Sequence, residues 1–89
     1  MLIVVCRIIV FISIFYTTMN ANIVLKFGRN VQQRRRSLGI SQEHLAELAG
    51  VHRTYVGMIE RGEKNITLRN IEKFAKALDM PIEDLMKFE

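Results

Sequence analysis

Cysteine occurs once in these 89 residues, proline once and histidine twice. A lone thiol, Cys6, can form no intramolecular disulfide, so nothing points to a secreted, disulfide-stapled domain. Cys6 also lies in an apolar run, where a thiol more often packs as a small hydrophobe than reacts. His44 and His52 have no cysteine cluster and no H-x-x-x-H spacing around them, so no metal site is expected. Residues 19–89 contain no glycine-rich phosphate loop, no alternating strand pattern, no repeat and no nucleophile–base pairing. An enzyme is therefore not expected, and neither is a cofactor.

What the chain does have is positive charge, unevenly spread. Residues 1–61 carry eight Lys or Arg against three acids, whereas residues 62–89 carry five against six. A basic first part with a neutral-to-acidic tail suggests that one end meets a polyanion. The length allows one small domain. Hydrophobic residues make up 49% of the chain, but fourteen of the first eighteen residues are apolar. Without them the share falls to about 42%, ordinary for a small soluble domain.

From about residue 22 the pattern is helical. Val24, Phe27, Val31 and Leu38 form an apolar stripe with a polar back. Gly39 suits a left-handed end to that helix. Ser41 is a good N-cap for a second helix over 42–49, with Leu45, Ala46, Leu48 and Ala49 on its buried side, and Gly50 stops it. A third helix is expected from Arg53 to Arg61 with Val56 and Ile59 inward. Residues 62–65 read as a turn. Thr67 can cap a fourth helix carrying Leu68, Ile71, Phe74, Ala75 and Leu78, and Pro81 opens a short fifth helix to about Lys87. The expectation is all-α: a compact five-helix domain over residues 19–89, preceded by an apolar extension over residues 1–18.

Within it, QEHLAELAGVHRTYVGMIERG, residues 42–62, has the spacing of a helix-turn-helix. Counting Gln42 as one, position five is Ala46, where two helices cross and only a small side chain fits. Position nine is Gly50, where a turn with positive φ is easiest. Positions fifteen and eighteen, Val56 and Ile59, are apolar and pin the second helix of the pair to the core. Such a pair presents its second helix to the DNA major groove.

Read as such a helix, its exposed side begins with His52, Arg53, Thr54 and Tyr55 and continues at Gly57 and Met58. Arg53 can bond two acceptors of guanine at once, and Thr54 offers a hydroxyl and a methyl, so these two are the expected base readers. The bland alternatives are a phosphate contact or a solvated charge for Arg53 and a helix-start cap for Thr54. Tyr55 could equally pack at the core edge or place its hydroxyl on DNA. Gly57, a poor helix former in mid-helix, implies close approach to something, such as the DNA backbone. Met58 fits an apolar groove contact better than a core position. Ser41 and Gln42 start the second helix, whose free N–H groups suit a phosphate. Arg34, Arg36 and Lys64 add positive charge, with a solvated face as the default for each.

At "GISQEHLAELAGV" followed by "IERG" the chain resembles the Cro/phage-repressor-like family of helix-turn-helix transcription regulators, over about residues 27–86. "GVHRTYVGMIERGEKNITL" is closest in wording to the controller proteins of restriction–modification systems, which are dimeric regulators. The resemblance implies that Gln42 braces both a DNA phosphate and the recognition helix, that Asn65 makes a backbone contact, and that Arg35 pairs structurally with Glu60. Arg34 departs from the leucine many members carry, so its stem is expected along the core with its head in water. The apolar residues of the last two helices exceed what one small core can hide, which suggests a homodimer with recognition helices about 34 Å apart on double-stranded DNA. A cytoplasmic, sequence-specific regulator is the expected function. The alternative is an antitoxin-type interaction module with secondary DNA binding, against which no toxin-wrapping extension follows Phe88.

The first eighteen residues remain to be placed. A secretion signal fits poorly, lacking a basic n-region and a small-residue cleavage site. A membrane helix would reach the lower length limit with Arg7 in its middle. An apolar extension packed on the domain or a partner is a third reading. The preferred one is that translation begins at Met19, because NANIVLKFGRNVQQRRR resembles the usual opening of the family.

Overall fold

The computed structural model describes residues 23–88. All readings of residues 1–18 fall outside them. Among the described residues there are five helices and no strand: α1 over 23–37, α2 Gln42–Ala49, α3 Arg53–Glu60, α4 Leu68–Ala77 and α5 Ile82–Leu85. None of these is long and apolar enough to cross a membrane.

Each start has a side-chain acceptor where the sequence supplies one. The Ser41 hydroxyl accepts from the His44 N–H at 3.0 Å, His52 Nδ1 from the Thr54 N–H at 3.1 Å, and the Thr67 hydroxyl from the Asn70 N–H at 3.2 Å. These satisfy backbone donors that a first helical turn leaves unpaired. The first four helices also end alike. After each, one residue turns left-handed and two crossed backbone bonds close the end, as at α2, where Gly50 N–H reaches Glu47 O and Val51 N–H reaches Ala46 O. Glycine fills the left-handed position at 39, 50 and 62, while after α4 it is Asp79.

The core is drawn from all five helices: Phe27 and Val31, Leu45, Ala46 and Ala49, Val56 and Ile59, Ile71, Phe74 and Ala75, with Leu78 and Leu85 closing it. The α1–α3 crossing is too close for a side chain at Gly28, whose Cβ would overlap the Ile59 carbonyl oxygen. Three leucines expected inside are not. Leu38 is 40% exposed because α1 stops at 37 and the helical phase with it; Ile40 turns in instead. Leu48 is 54% exposed: at 100° per residue it falls outside the arc of Leu45, Ala49 and Ala46. Leu68 is 77% exposed, in phase with Ile71 and Ala75 but at the very tip of α4, beyond the core that would cover it.

Two side chains of α1 hold the far end of the domain. Arg34 donates from Nε to Leu78 O at 3.1 Å and from Nη2 to Asp79 O at 3.2 Å. Its head therefore lies on the carbonyl end of α4, where the helix dipole favours a cation, not in water as its departure from leucine suggested. Asn30 Nδ2 donates to Leu85 O at 3.0 Å and Lys87 O at 2.8 Å. That amide satisfies carbonyls left without a helical partner at the end of α5, which stops at Leu85, short of Lys87.

Candidate nucleic-acid interface

The α2–turn–α3 unit meets its spacing rules in three dimensions. Ala46 is 3% exposed, Gly50 has φ 69°, and Val56 and Ile59 are buried. This packing leaves the opposite side of α3 outward, and a set of ion-pair and hydrogen bonds fixes its orientation. Arg35 of α1 grips Glu60 with two parallel bonds, Nε to Oε2 at 2.7 Å and Nη2 to Oε1 at 3.0 Å, and its Nη1 donates to Ile40 O at 2.9 Å. Gln42 of α2 donates from Nε2 to the same Glu60 Oε1 at 3.1 Å. Glu60 is thus the point at which α1, α2 and α3 are tied. The Glu60 hydrogen bond raises the Arg35 guanidinium above its ordinary pKa against the opposing effect of burial. The cation is therefore kept across the range in which proteins stay folded.

Ser41, His52, Arg53, Thr54 and Asn65 are exposed, and Gln42, Tyr55 and Met58 are half-buried. Arg53, Thr54 and Asn65 use none of their side-chain polar atoms in hydrogen bonds or ion pairs among the described residues, whereas His52 spends Nδ1 on the cap of α3. The capping role weighed for Thr54 therefore belongs to His52. Ser41, Gln42, Arg53 and Thr54 line one open cleft of about 560 Å³ between the start of α2 and the outer side of α3. Asn65 lies apart from it, beside Ile66 on the far side of the turn.

Of the two readings open for Tyr55 the structure favours one, and the reading of Gly57 changes. Tyr55 belongs to the core edge: its ring stacks on Phe74 with centroids 6.1 Å apart, its hydroxyl accepts from Asn70 Nδ2 at 2.9 Å, and Lys64 lies 5.7 Å from the ring centre. Gly57 is on the outer side of α3 but is covered and so buried. What approaches it is the protein itself, since a Cβ there would stand 3.0 Å from Arg61 Nη1 and 3.6 Å from Gln42 Oε1. Met58 is half-buried and outside the core cluster.

Sequence reasoning assigns Arg61 no role in the site. Arg61 lines the same cleft, and its Nε pairs with Glu63. The signal was present: Arg61 is seven residues, nearly two helical turns, beyond Thr54, and so on the same outer side.

Residues 31–85 match the helix-turn-helix family. Among curated proteins, the control protein C.BamHI of Bacillus amyloliquefaciens is 49% identical over 71 residues, 79% of this chain and 88% of the relative. The crystal structure of the restriction–modification controller protein C.AhdI from Aeromonas hydrophila superposes with a TM-score of 0.69 at 47% identity, covering 70% of this chain and 94% of that one. SinR, a master regulator for biofilm formation crystallised in complex with DNA, superposes with a TM-score of 0.65 at 34% identity, over 68% of this chain and 98% of its own.

Proposed function

The chain belongs to the helix-turn-helix family of DNA-binding transcription regulators, and from that premise we propose that it is a homodimeric restriction–modification controller reading a two-fold related operator. It acts by occupancy and not by chemical turnover, in the cytoplasm where the DNA is. The observation that carries the reading is the outward presentation of Arg53 and Thr54, their polar groups unspent among the described residues, on a helix tied at Glu60 to both α1 and α2.

In this mechanism α3 enters the major groove, Arg53 bonds the guanine edge, and Thr54 meets a base hydroxyl-to-acceptor or methyl-to-methyl. Ser41 and Gln42, at the free N–H groups of α2, seat a phosphate, and His52 and Asn65 touch the backbone to either side. Gln42 joins positioning to support, because the amide that braces Glu60 leaves its carbonyl oxygen toward the cleft. Tyr55 and Gly57 serve by shape, the first wedging α3 against α4 and the second keeping the cleft open.

Fluorescence anisotropy with the DNA upstream of the chain's own gene, against a shuffled duplex, tests this. Arg53→Ala is expected to cost about 1–3 kcal/mol on the specific duplex and nearly nothing on the shuffled one. Unchanged discrimination would remove Arg53 from the base-reading role.

A further inference from the structure

At 100° per residue, Thr54, Gly57, Met58 and Arg61 form one stripe of α3, opposite the buried Val56 and Ile59. Arg61, the residue that caps α3, therefore faces the same way as the base-reading positions. Its guanidinium lies back along the helix over Gly57, 3.0 Å from where a Cβ would be. Its Nε is held by the Glu63 carboxylate. The two side chains are 59% and 51% exposed, so water screens the pair and little is lost on breaking it.

We propose that Arg61 is a DNA-backbone contact, that Glu63 stands in for the phosphate while the protein is free, and that glycine at 57 admits the guanidinium. The inference rests on the reading of α3 as the DNA-facing helix. Carboxylate and phosphate offer the same paired oxygens to the arginine fork, and a duplex adds counterion release that Glu63 lacks. Exchange of Glu63 for phosphate therefore favours the complex. Glu63 also has a cost of its own: it competes for Arg61 and repels the backbone once displaced.

The test is anisotropy of the full chain on a labelled random-sequence duplex across about 50 to 200 mM KCl. Arg61→Gln is expected to bind about tenfold more weakly, with a salt slope shallower by about one unit per bound protomer. Glu63→Gln is expected to bind several-fold more tightly, and to lose most of that gain when Arg61 is already Gln. Gly57→Ala is expected to raise the melting temperature, alanine being the better helix former, yet to weaken binding about as much as Arg61→Gln. The combined Gly57→Ala, Arg61→Gln chain is expected to bind no more weakly than Arg61→Gln alone.

Wild-type affinity and slope for Arg61→Gln, with the wild type binding the duplex, overturns the inference and leaves the DNA-binding reading standing. An equal Glu63→Gln gain in both backgrounds overturns the stand-in role. Losses that add in the combined variant show that position 57 acts on DNA directly and overturn its part. No binding by the wild type even at the lowest salt overturns the reading beneath.

Discussion

Asp79 carries the only positive φ outside glycine among the described residues, 54°. It does at the end of α4 what glycine does after α1, α2 and α3, with Met80 N–H reaching Ala75 O at 3.1 Å and Asp79 N–H reaching Lys76 O at 3.2 Å. A side chain in this left-handed region costs roughly 1–2 kcal/mol, and glycine's extra freedom in the unfolded chain returns roughly 0.5–1. Asp79→Gly should therefore stabilise the domain by about 0.5 kcal/mol, read from urea unfolding, because the Arg34 contact is to the backbone and survives. The three glycine endings were legible from residue type alone. This one was not, because aspartate at a helix end suggests a turn without specifying its hand.

At the scale of elements, the Arg35–Glu60 pair ties α1 to the end of α3. Both side chains are nearly sealed from water, at 11% and 1% exposed, so the pair cannot be judged as a surface salt bridge. Glu60→Leu strands the guanidinium and should cost about 3–5 kcal/mol of stability, enough to unfold a marginal domain of this size. The double variant Arg35→Met, Glu60→Leu should recover most of that loss in the same unfolding assay. It should nonetheless bind DNA more weakly, since Gln42 then has no anchor on α3. A double variant that binds like the wild type would show that core packing alone sets the helix. With its pKa raised, Arg35 contributes below its unfolded value and loses that contribution only above the folded one, beyond neutral pH, so this half of the pair gives no pH dependence in the working range.

Over the whole molecule, the apolar surplus near the C-terminus resolves into two parts. Ile71, Phe74, Leu78 and Leu85 are absorbed by the core, and Met80, Met86 and Phe88 lie against it. Leu68 at 77% and Ile82 at 36% exposure are left over, with Ile23 at 40% on α1. The proposed dimer must draw on what is left, not on the full count that first suggested it. Leu68→Glu, at a tip position with no core neighbours to lose, should leave monomer stability within about 0.5 kcal/mol. It should weaken self-association at least about tenfold in sedimentation velocity, by burying a charge in an apolar contact. Undiminished association would place the dimer contact elsewhere.

The order and phase of the helices, the caps at Ser41 and Thr67, the left-handed turn at Gly50 and the inward pair Val56 and Ile59 were all determined by the sequence, since each depends on residue type and on neighbours within a turn or two. So was the helix-turn-helix itself, whose spacing is a local constraint. Only the tertiary structure decided which in-phase residues lacked a roof, as at Leu68, which element Arg34 would cap, that Asn30 would bond the carbonyls at the end of α5, and that the approach to Gly57 comes from Arg61. These depend on side chains reaching across the fold, on distances between positions up to 57 residues apart in the chain, which no periodicity encodes.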